Sequence, residues 1–271
     1  MKERVRLDVA VAEQLGTTRA RARSLIIAGR VRVDGRPITK PGTMAAPSAQ
    51  IEVREAPRFV SRGGEKLAHA LGAFAIDARG LRCLDVGAST GGFTDCLLQA
   101  GAARVVALDV GYGQMAWSLR NDPRVEVIER TNFRTVDLDR LGEPFDLVTI
   151  DASFISLLLL LERARDVLKP GGRIVGLIKP QFEAGPQRLG SGGVVRDPAV
   201  HEAILREVRD GAAARGVRLA AVEPSPLRGP AGNVEFLGLF EPQAGTQLDD
   251  GHLARAVARA HAAPPHEGGD T

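Results

Sequence analysis

Cysteine, lysine and long apolar stretches are all scarce in these 271 residues, and each scarcity excludes something. The two cysteines, Cys83 and Cys96, stand thirteen apart without nearby histidines, which supports neither a disulfide framework nor a zinc site. Both are expected in the core. The longest unbroken apolar run is Leu157 to Leu161, far short of the ~18 residues that span a bilayer, so no membrane helix is expected. Met1 to Arg6 alternates charged and apolar residues and lacks the apolar stretch of a secretory signal, from which we expect a cytoplasmic chain. Lysine supplies only five of the 36 basic side chains, at positions 2, 40, 66, 169 and 179. Where charge alone is needed this chain uses arginine. A lysine in an unusual place is therefore a candidate for losing a proton, which guanidinium cannot do.

What is present is ordinary globular material, 44% hydrophobic and 25% charged, long enough for two compact units or one large α/β domain with an appendage. The net charge of +3 conceals an asymmetry. Residues 1–66 hold 14 Lys/Arg against 7 Asp/Glu, a net of +7, whereas the other 205 carry 22 basic and 26 acidic side chains, a net of −4. A basic module on a mildly acidic body is the footprint of polyanion binding, although a solvated arginine-rich surface gives the same sums.

Within residues 1–56, Leu7, Val11 and Leu15 recur every four residues and Gly16 ends the stripe, which predicts a first helix. Thr17 or Thr18 can cap a second, Arg19 to Ala28, with Leu25 and Ile26 inward and Arg19, Arg21 and Arg23 left for solvent or phosphate. Val31-Arg32-Val33, the turn Asp34-Gly35, and Ile51-Glu52-Val53 then predict a small β ribbon. Arg6-Leu7-Asp8, the arginine-rich second helix and Gly29 through Gly35 make this α+β stretch resemble the S4 RNA-binding domain. The resemblance implies RNA contacts from Arg6, Arg19, Arg21, Arg23, Arg30 and Arg32. A basic protein-binding helical hairpin is the competing reading. Residues 57–64 read as a linker, closed by Gly63-Gly64, with Lys66 just beyond it at the start of a helix carrying Leu67, Leu71 and Phe74.

From residue 80 apolar β-rich runs alternate with helical stretches, which predicts an α/β domain built on a doubly wound sheet. Seven strands are expected, at 81–86, 104–109, 125–128, 145–150, 173–178, 217–222 and 234–240. The first runs into Asp85-Val86-Gly87-Ala88-Ser89-Thr90-Gly91-Gly92-Phe93, where glycines let a backbone approach a ligand closely. This is not the GxGxxG dinucleotide pattern, since Ser89 replaces the middle glycine and Gly91-Gly92 are adjacent. Asp109, 22 residues after Gly87, ends the next strand, where a carboxylate either accepts both hydroxyls of a ribose or serves a turn. Asp151 and Lys179 each follow an apolar run, at the carboxyl edge where open α/β sheets bind ligands. Glu235 interrupts the last run, where an acid is costly unless paired. Lys66, Asp151, Lys179 and Glu235 either converge or stand as four separate surface residues.

Residues 57–241 resemble the FtsJ-like ribose 2′-O-methyltransferases, and the whole chain resembles the TlyA family of rRNA cytidine-2′-O-methyltransferases, long called haemolysins. The resemblance is carried by Val60-Ser61-Arg62-Gly63-Gly64 with Lys66-Leu67, Asp85 through Thr94, Asp109 through Gln114 with Ala116 through Pro123, Ser153 through Ser156, Lys179 through Glu183, and Gly232 through Glu235. It implies a Rossmann-like seven-stranded methyltransferase sheet over 65–243 and S-adenosylmethionine as donor, held by Asp85, Gly87, Ala88, Ser89, Thr90, Gly91, Gly92, Phe93, Asp109 and Asp151. It further implies a catalytic Lys66-Asp151-Lys179-Glu235 tetrad, a further RNA contact at Arg62, no metal, and ribosomal RNA or subunits as partner of a monomer. One departure lies in the linker, where mycobacterial members carry Arg-Ala-Trp-Val and this chain has Pro57-Arg58-Phe59-Val60. Leu248 to Ala262, with Leu253 and Val257 four apart, is expected to form the extra C-terminal helix associated in the family with modifying both subunits, ahead of a disordered tail within 244–271.

The chemistry suits these residues. A ribose 2′-hydroxyl is a poor nucleophile until its proton leaves, so the protein must chiefly align and deprotonate, and Lys179 is the expected base. Two other classes compete. A nicotinamide oxidoreductase is disfavoured by the broken fingerprint, and a membrane-active haemolysin by the lack of any spanning or strongly amphipathic apolar segment.

Overall fold

The computed structural model describes residues 4–54, 57–242 and 245–262. The chain divides between Arg58 and Phe59 into two compact units. The first comprises β1 (Val5–Arg6), α1 (Leu7–Leu15), α2 (Arg19–Ile27), β2 (Val31–Val33), β3 (Arg36–Pro37), β4 (Met44–Ala45) and β5 (Ile51–Val53). Leu7 and Val11 are buried as the four-residue spacing predicts, but Leu15 is exposed in the last turn, one residue before Gly16 ends α1 in the left-handed conformation. Thr18, rather than Thr17, caps α2: its Oγ1 accepts the Arg21 N–H at 3.2 Å. α2 buries Ala22, Leu25 and Ile26 against α1 and Val31. β2 pairs antiparallel with β3 and β5, and the β2–β3 turn takes positive φ at both Asp34 and Gly35, the conformation that the Asp-Gly pair favours.

The second unit comprises α3 (Gly63–Ala73), β6 (Arg82–Val86), α4 (Gly92–Gln99), β7 (Arg104–Leu108), α5 (Trp117–Arg120), β8 (Val125–Ile128), β9 (Phe145–Ile150), α6 (Leu158–Asp166), β10 (Leu168–Ile178), α7 (Pro180–Glu183), α8 (Pro198–Ala213), β11 (Arg218–Pro224), β12 (Phe236–Glu241) and α9 (Asp250–Ala262). Its seven strands run in the order β11-β12-β10-β9-β6-β7-β8, parallel from β10 to β8, with β12 antiparallel to both neighbours. Both faces are covered, so the strands read as continuous apolar runs whose alternate residues enter different layers: Leu84, Val148 and Ile174 on one side, Cys83, Leu147 and Val175 on the other. Both cysteines are buried, as expected of core residues.

Most boundaries fall within two residues of expectation, and three differences bear on the site. β10 begins at Leu168, five residues early, because the Pro170-Gly171-Gly172 stretch is absorbed as an irregularity in its pairing with β9. β12 begins at Phe236, so Glu235 precedes the strand rather than interrupting it. The second unit starts inside the expected linker: Phe59 is 3% exposed, and a Cβ on Gly64 would lie 2.2 Å from its Cγ, so only glycine admits the ring there. α9 follows the expected C-terminal helix and buries Leu253, Ala256 and Val257. The expected boundary at 243–244 and the tail from 263 lie outside the described residues.

Candidate active site

Four charged side chains from distant parts of the second unit form two ion pairs. Lys66, in α3, donates to Glu235 Oε2 at 2.5 Å, with the two side chains 10% and 2% exposed. Asp151, the residue after β9, lies with Oδ1 2.7 Å from Nζ of Lys179, the residue after β10. Since β9 and β10 are adjacent and parallel, both chains end at the same sheet edge and the side chains meet there. Ser153 supplies a second acceptor for Lys179 Nζ at 2.8 Å. A buried ammonium and a buried carboxylate are each costly alone, and each here has its partner.

Two clefts open at this edge and share Gly87, Ser89 and Asp151. One, of about 190 Å³, is lined by Ser61, Arg62, Lys66, Thr90, Phe93 and Arg228 besides the shared residues. The other, of about 490 Å³, is lined by Asp109, Val110, Gln114, Asn132, Phe133 and Ala152 among others, and is within the roughly 300–1,000 Å³ class of small-molecule sites. Its glycine loop is tightly constrained. A Cβ on Gly87 would lie 2.6 Å from the Asp151 carbonyl oxygen, so the β6–α4 turn presses directly on the end of β9. Asp109 is held at both oxygens, Oδ2 accepting the Ser89 N–H at 2.7 Å and Oδ1 the Gly111 N–H at 2.6 Å. Each oxygen retains a lone pair for a vicinal diol, so this pair of acceptors fits the ribose hydroxyls of an adenosine cofactor.

Not every expected contact lies in these clefts. Asp85 is completely buried and turned away, its carboxyl accepting from Thr94 Oγ1 at 2.7 Å and Thr149 Oγ1 at 3.0 Å. It shares the sheet face of Cys83, so strand alternation points it under α4, where burial raises its pKa to about 7. Gly91 lines neither cleft, and its missing Cβ makes room for Leu119 instead. Ala88, Thr90, Gly92 and Phe93 line the smaller cleft alone.

In the first unit the expected RNA-binding arginines fall into groups. Arg6 and Arg19 converge on the buried Asp8, each at 3.0 Å, and the bonds from Arg6 come first in holding that carboxyl down to about 2. Arg21 and Arg23 are exposed, and Arg30 and Arg32 are half-buried. Arg62 belongs to the second unit, where it donates to the Arg228 carbonyl at 2.8 Å.

Sequence reasoning did not single out Ser153, Arg228 or Phe154 as site residues. Phe154 is 91% exposed at φ +63, a strained conformation for an aromatic residue, and its ring centroid is 5.2 Å from that of Phe182. Phe182 in turn lies 5.8 Å from Lys179 Nζ. Glu183 accepts from Ser156 Oγ at 2.6 Å and Leu157 N–H at 2.7 Å, tying α7 to the start of α6, and its burial raises its pKa.

A glycine-loop cleft beside a Lys-Asp-Lys-Glu cluster on a seven-stranded sheet defines a methyltransferase. Residues 59–241 match the FtsJ-like methyltransferase family and residues 5–51 the S4 domain. The chain belongs to the FtsJ-like methyltransferases, and among them to the S4-bearing TlyA family. It is 47% identical to the 16S/23S rRNA (cytidine-2′-O)-methyltransferase TlyA of Mycobacterium tuberculosis, over 96% of this chain and 98% of that one. It is 39% identical to Hemolysin A of Brachyspira hyodysenteriae, over 87% and 99% of the two chains. A Streptococcus thermophilus protein solved under a hemolysin name superposes with a TM-score of 0.74 at 39% identity, covering 96% of both chains. S-adenosylmethionine is the methyl donor. Family membership removes the oxidoreductase reading, and among the described residues no helix is long and apolar enough to cross a membrane.

Proposed function

We propose that this chain methylates the ribose 2′-hydroxyl of a cytidine in ribosomal RNA, on both subunits, acting as a monomer in the cytoplasm. The observation that carries the reading is the junction of the two clefts at Asp151, with Lys179 2.7 Å away. One cleft offers an anchored carboxylate for an adenosine ribose and the other, lined by Lys66, Arg62 and Arg228, suits a nucleotide. S-adenosylmethionine, held by Asp109, Ser89 and the Gly87 loop, supplies a methyl group already activated on a sulfonium. The protein's share is alignment and proton removal.

In this reading Lys179 first gives up a proton of its ammonium to solvent and then, as a neutral amine, accepts the 2′-hydroxyl proton on Nζ, while Asp151 and Ser153 fix that nitrogen. Glu235 holds Lys66 at the wall of the nucleotide cleft, where its ammonium faces the ribose oxygen. Seating of RNA excludes water from the junction and strengthens these contacts. The two-subunit reading rests on α9 and on the 16S/23S specificity in the mycobacterial relative's name.

The test is methyl transfer from labelled S-adenosylmethionine to each ribosomal subunit purified from cells lacking the gene, with the labelled nucleotide mapped. Label on a cytidine ribose in both subunits is expected. Label on a base, or no transfer, overturns the reading.

A further inference from the structure

Arg228 stands where neighbouring clefts meet. It lines the nucleotide cleft with Arg62 and Lys66, and also an adjoining cleft with Arg196, Gly232 and His261. It is half-buried, and its Nη1 reaches the Gly232 carbonyl only at 3.4 Å. Arg62 and Arg196 likewise donate to backbone carbonyls, those of Arg228 at 2.8 Å and Ser191 at 3.4 Å. Among the described residues none of the three forms a salt bridge. Many arginines elsewhere on this unit are neutralised, for example Arg79 by Asp77, Arg104 by Glu126 and Arg188 by Glu207. Three guanidiniums without acids thus run in sequence from the tetrad, through the wall shared by two clefts, towards α9.

Arg228 is the half-buried member and, without a counterion, gains most when an anion arrives, while Arg62 and Arg196 stand exposed beside it. A ribose seated beside Lys66 brings its own phosphates with it, and the strand must leave the cleft past whatever lines its mouth. Resting on the ribose-methylation reading, we propose that Arg228 and Arg196 form a phosphate track that carries the RNA strand from the target ribose across the cleft beside His261. Arg228 also positions Arg62, through the hydrogen bond to its main-chain carbonyl. The track holds the strand by its backbone and reads no base, because guanidiniums paired with phosphates carry no sequence information.

The experiment uses the full chain and ribosomal subunits from cells lacking the gene, and compares Arg228→Ala, Arg196→Ala, Arg228→Lys and Arg79→Ala. Each of the first two should weaken subunit binding by roughly tenfold, as loss of one charged hydrogen-bonding contact does. Each should also make log K against log salt shallower by about one. The loss should fall on KM for RNA more than on kcat, with S-adenosylmethionine affinity and thermal unfolding unchanged. Arg228→Lys should keep the salt slope, and Arg79→Ala should behave as the parent. Unchanged affinity and slope in both track variants would overturn the proposal. So would an equal loss in Arg79→Ala, which would reduce the effect to net charge, or a loss in Arg228→Lys as deep as in Arg228→Ala. Failure of the unaltered chain to transfer methyl would defeat the underlying methylation reading instead, while the binding and salt measurements would still decide the track.

Discussion

Lys66 and Glu235 are 169 residues apart in sequence and 2.5 Å apart in space, both withdrawn from water. The contact fastens α3, at the start of the methyltransferase unit, to the residue that leads into β12. Breaking it from one side leaves a buried charge alone. Lys66→Ala should therefore cost about 3–5 kcal/mol in denaturant unfolding, whereas Lys66→Met combined with Glu235→Leu should recover most of that loss. Neither should transfer methyl. A double variant that regains stability and remains inactive separates the pair's part in the reaction from its part in the fold.

Lys179→Ala should abolish transfer and leave S-adenosylmethionine affinity within a few fold. Lys179→Arg should fail equally, because guanidinium keeps its proton while preserving the charge beside Asp151. Substantial turnover by the arginine variant would take the role of base away from Lys179.

Asp109→Asn is not a neutral replacement here. Both carboxylate oxygens accept backbone N–H groups, so one end of an amide must direct its own NH2 at a donor, either Ser89 or Gly111. We expect S-adenosylmethionine affinity to fall by roughly 10- to 100-fold, consistent with an unmet or repelled polar contact, with RNA binding much less affected. Calorimetric titration of each ligand checks this.

Two buried groups give opposite pH slopes. Asp85 is raised from 3.8 to about 7 by burial, so between those values the folded chain holds a proton that the unfolded chain has lost, and stability falls as pH rises. His201, buried against His261 with its Nδ1 3.0 Å from His261 Nε2, is lowered from 6.5 to about 4, chiefly by burial. Its contribution is full above 6.5 and is lost as pH falls towards 4. The windows overlap, so the two slopes largely offset. Asp85→Asn should expose the histidine slope between pH 4 and 6.5. It should also gain on the parent by about 3 kcal/mol more at pH 8 than at pH 5. Unfolding curves across that range are the check.

In the first unit, Arg21→Ala with Arg23→Ala should lower subunit affinity and its salt dependence while leaving the unit folded, since both side chains are exposed. Arg19→Ala should behave differently. It removes one of the two cations on the completely buried Asp8 and should lower the melting temperature of this unit as well.

Much of this was legible in the chain, and the reasons are local. The strand runs, the glycine turn at 87–92 and the charges after β9 and β10 follow from apolar runs that end abruptly in a polar residue. Asp85 misled because a run of Asp, Val and Gly beside a ligand loop does not say which sheet face each side chain takes, and that depends on the register with β9 and β7. Arg228 and Ser153 were hidden for another reason. Neither sits at a strand end, and each is tied to the site by a neighbour some 26 or more residues away, Lys179 for Ser153 and Arg62 for Arg228. The pairing within the tetrad, Lys66 with Glu235 and Asp151 with Lys179, required coordinates, because four convergent charges admit more than one pairing.

The ring of Phe59 against Gly64 limits how this molecule can be taken apart and recombined. The conspicuous Gly63-Gly64 pair invites a cut or a fusion point, yet the chain belongs to the methyltransferase unit from Phe59 onward, and the Phe59 ring is already in its interior. A chimera that grafts a different RNA-binding module at residue 64 would leave Phe59 behind and open a ring-sized void beside the helix that carries Lys66. Exchange of modules during evolution or in the laboratory is open only to junctions that fall before Phe59, so the interval available to recombination is a few residues wide.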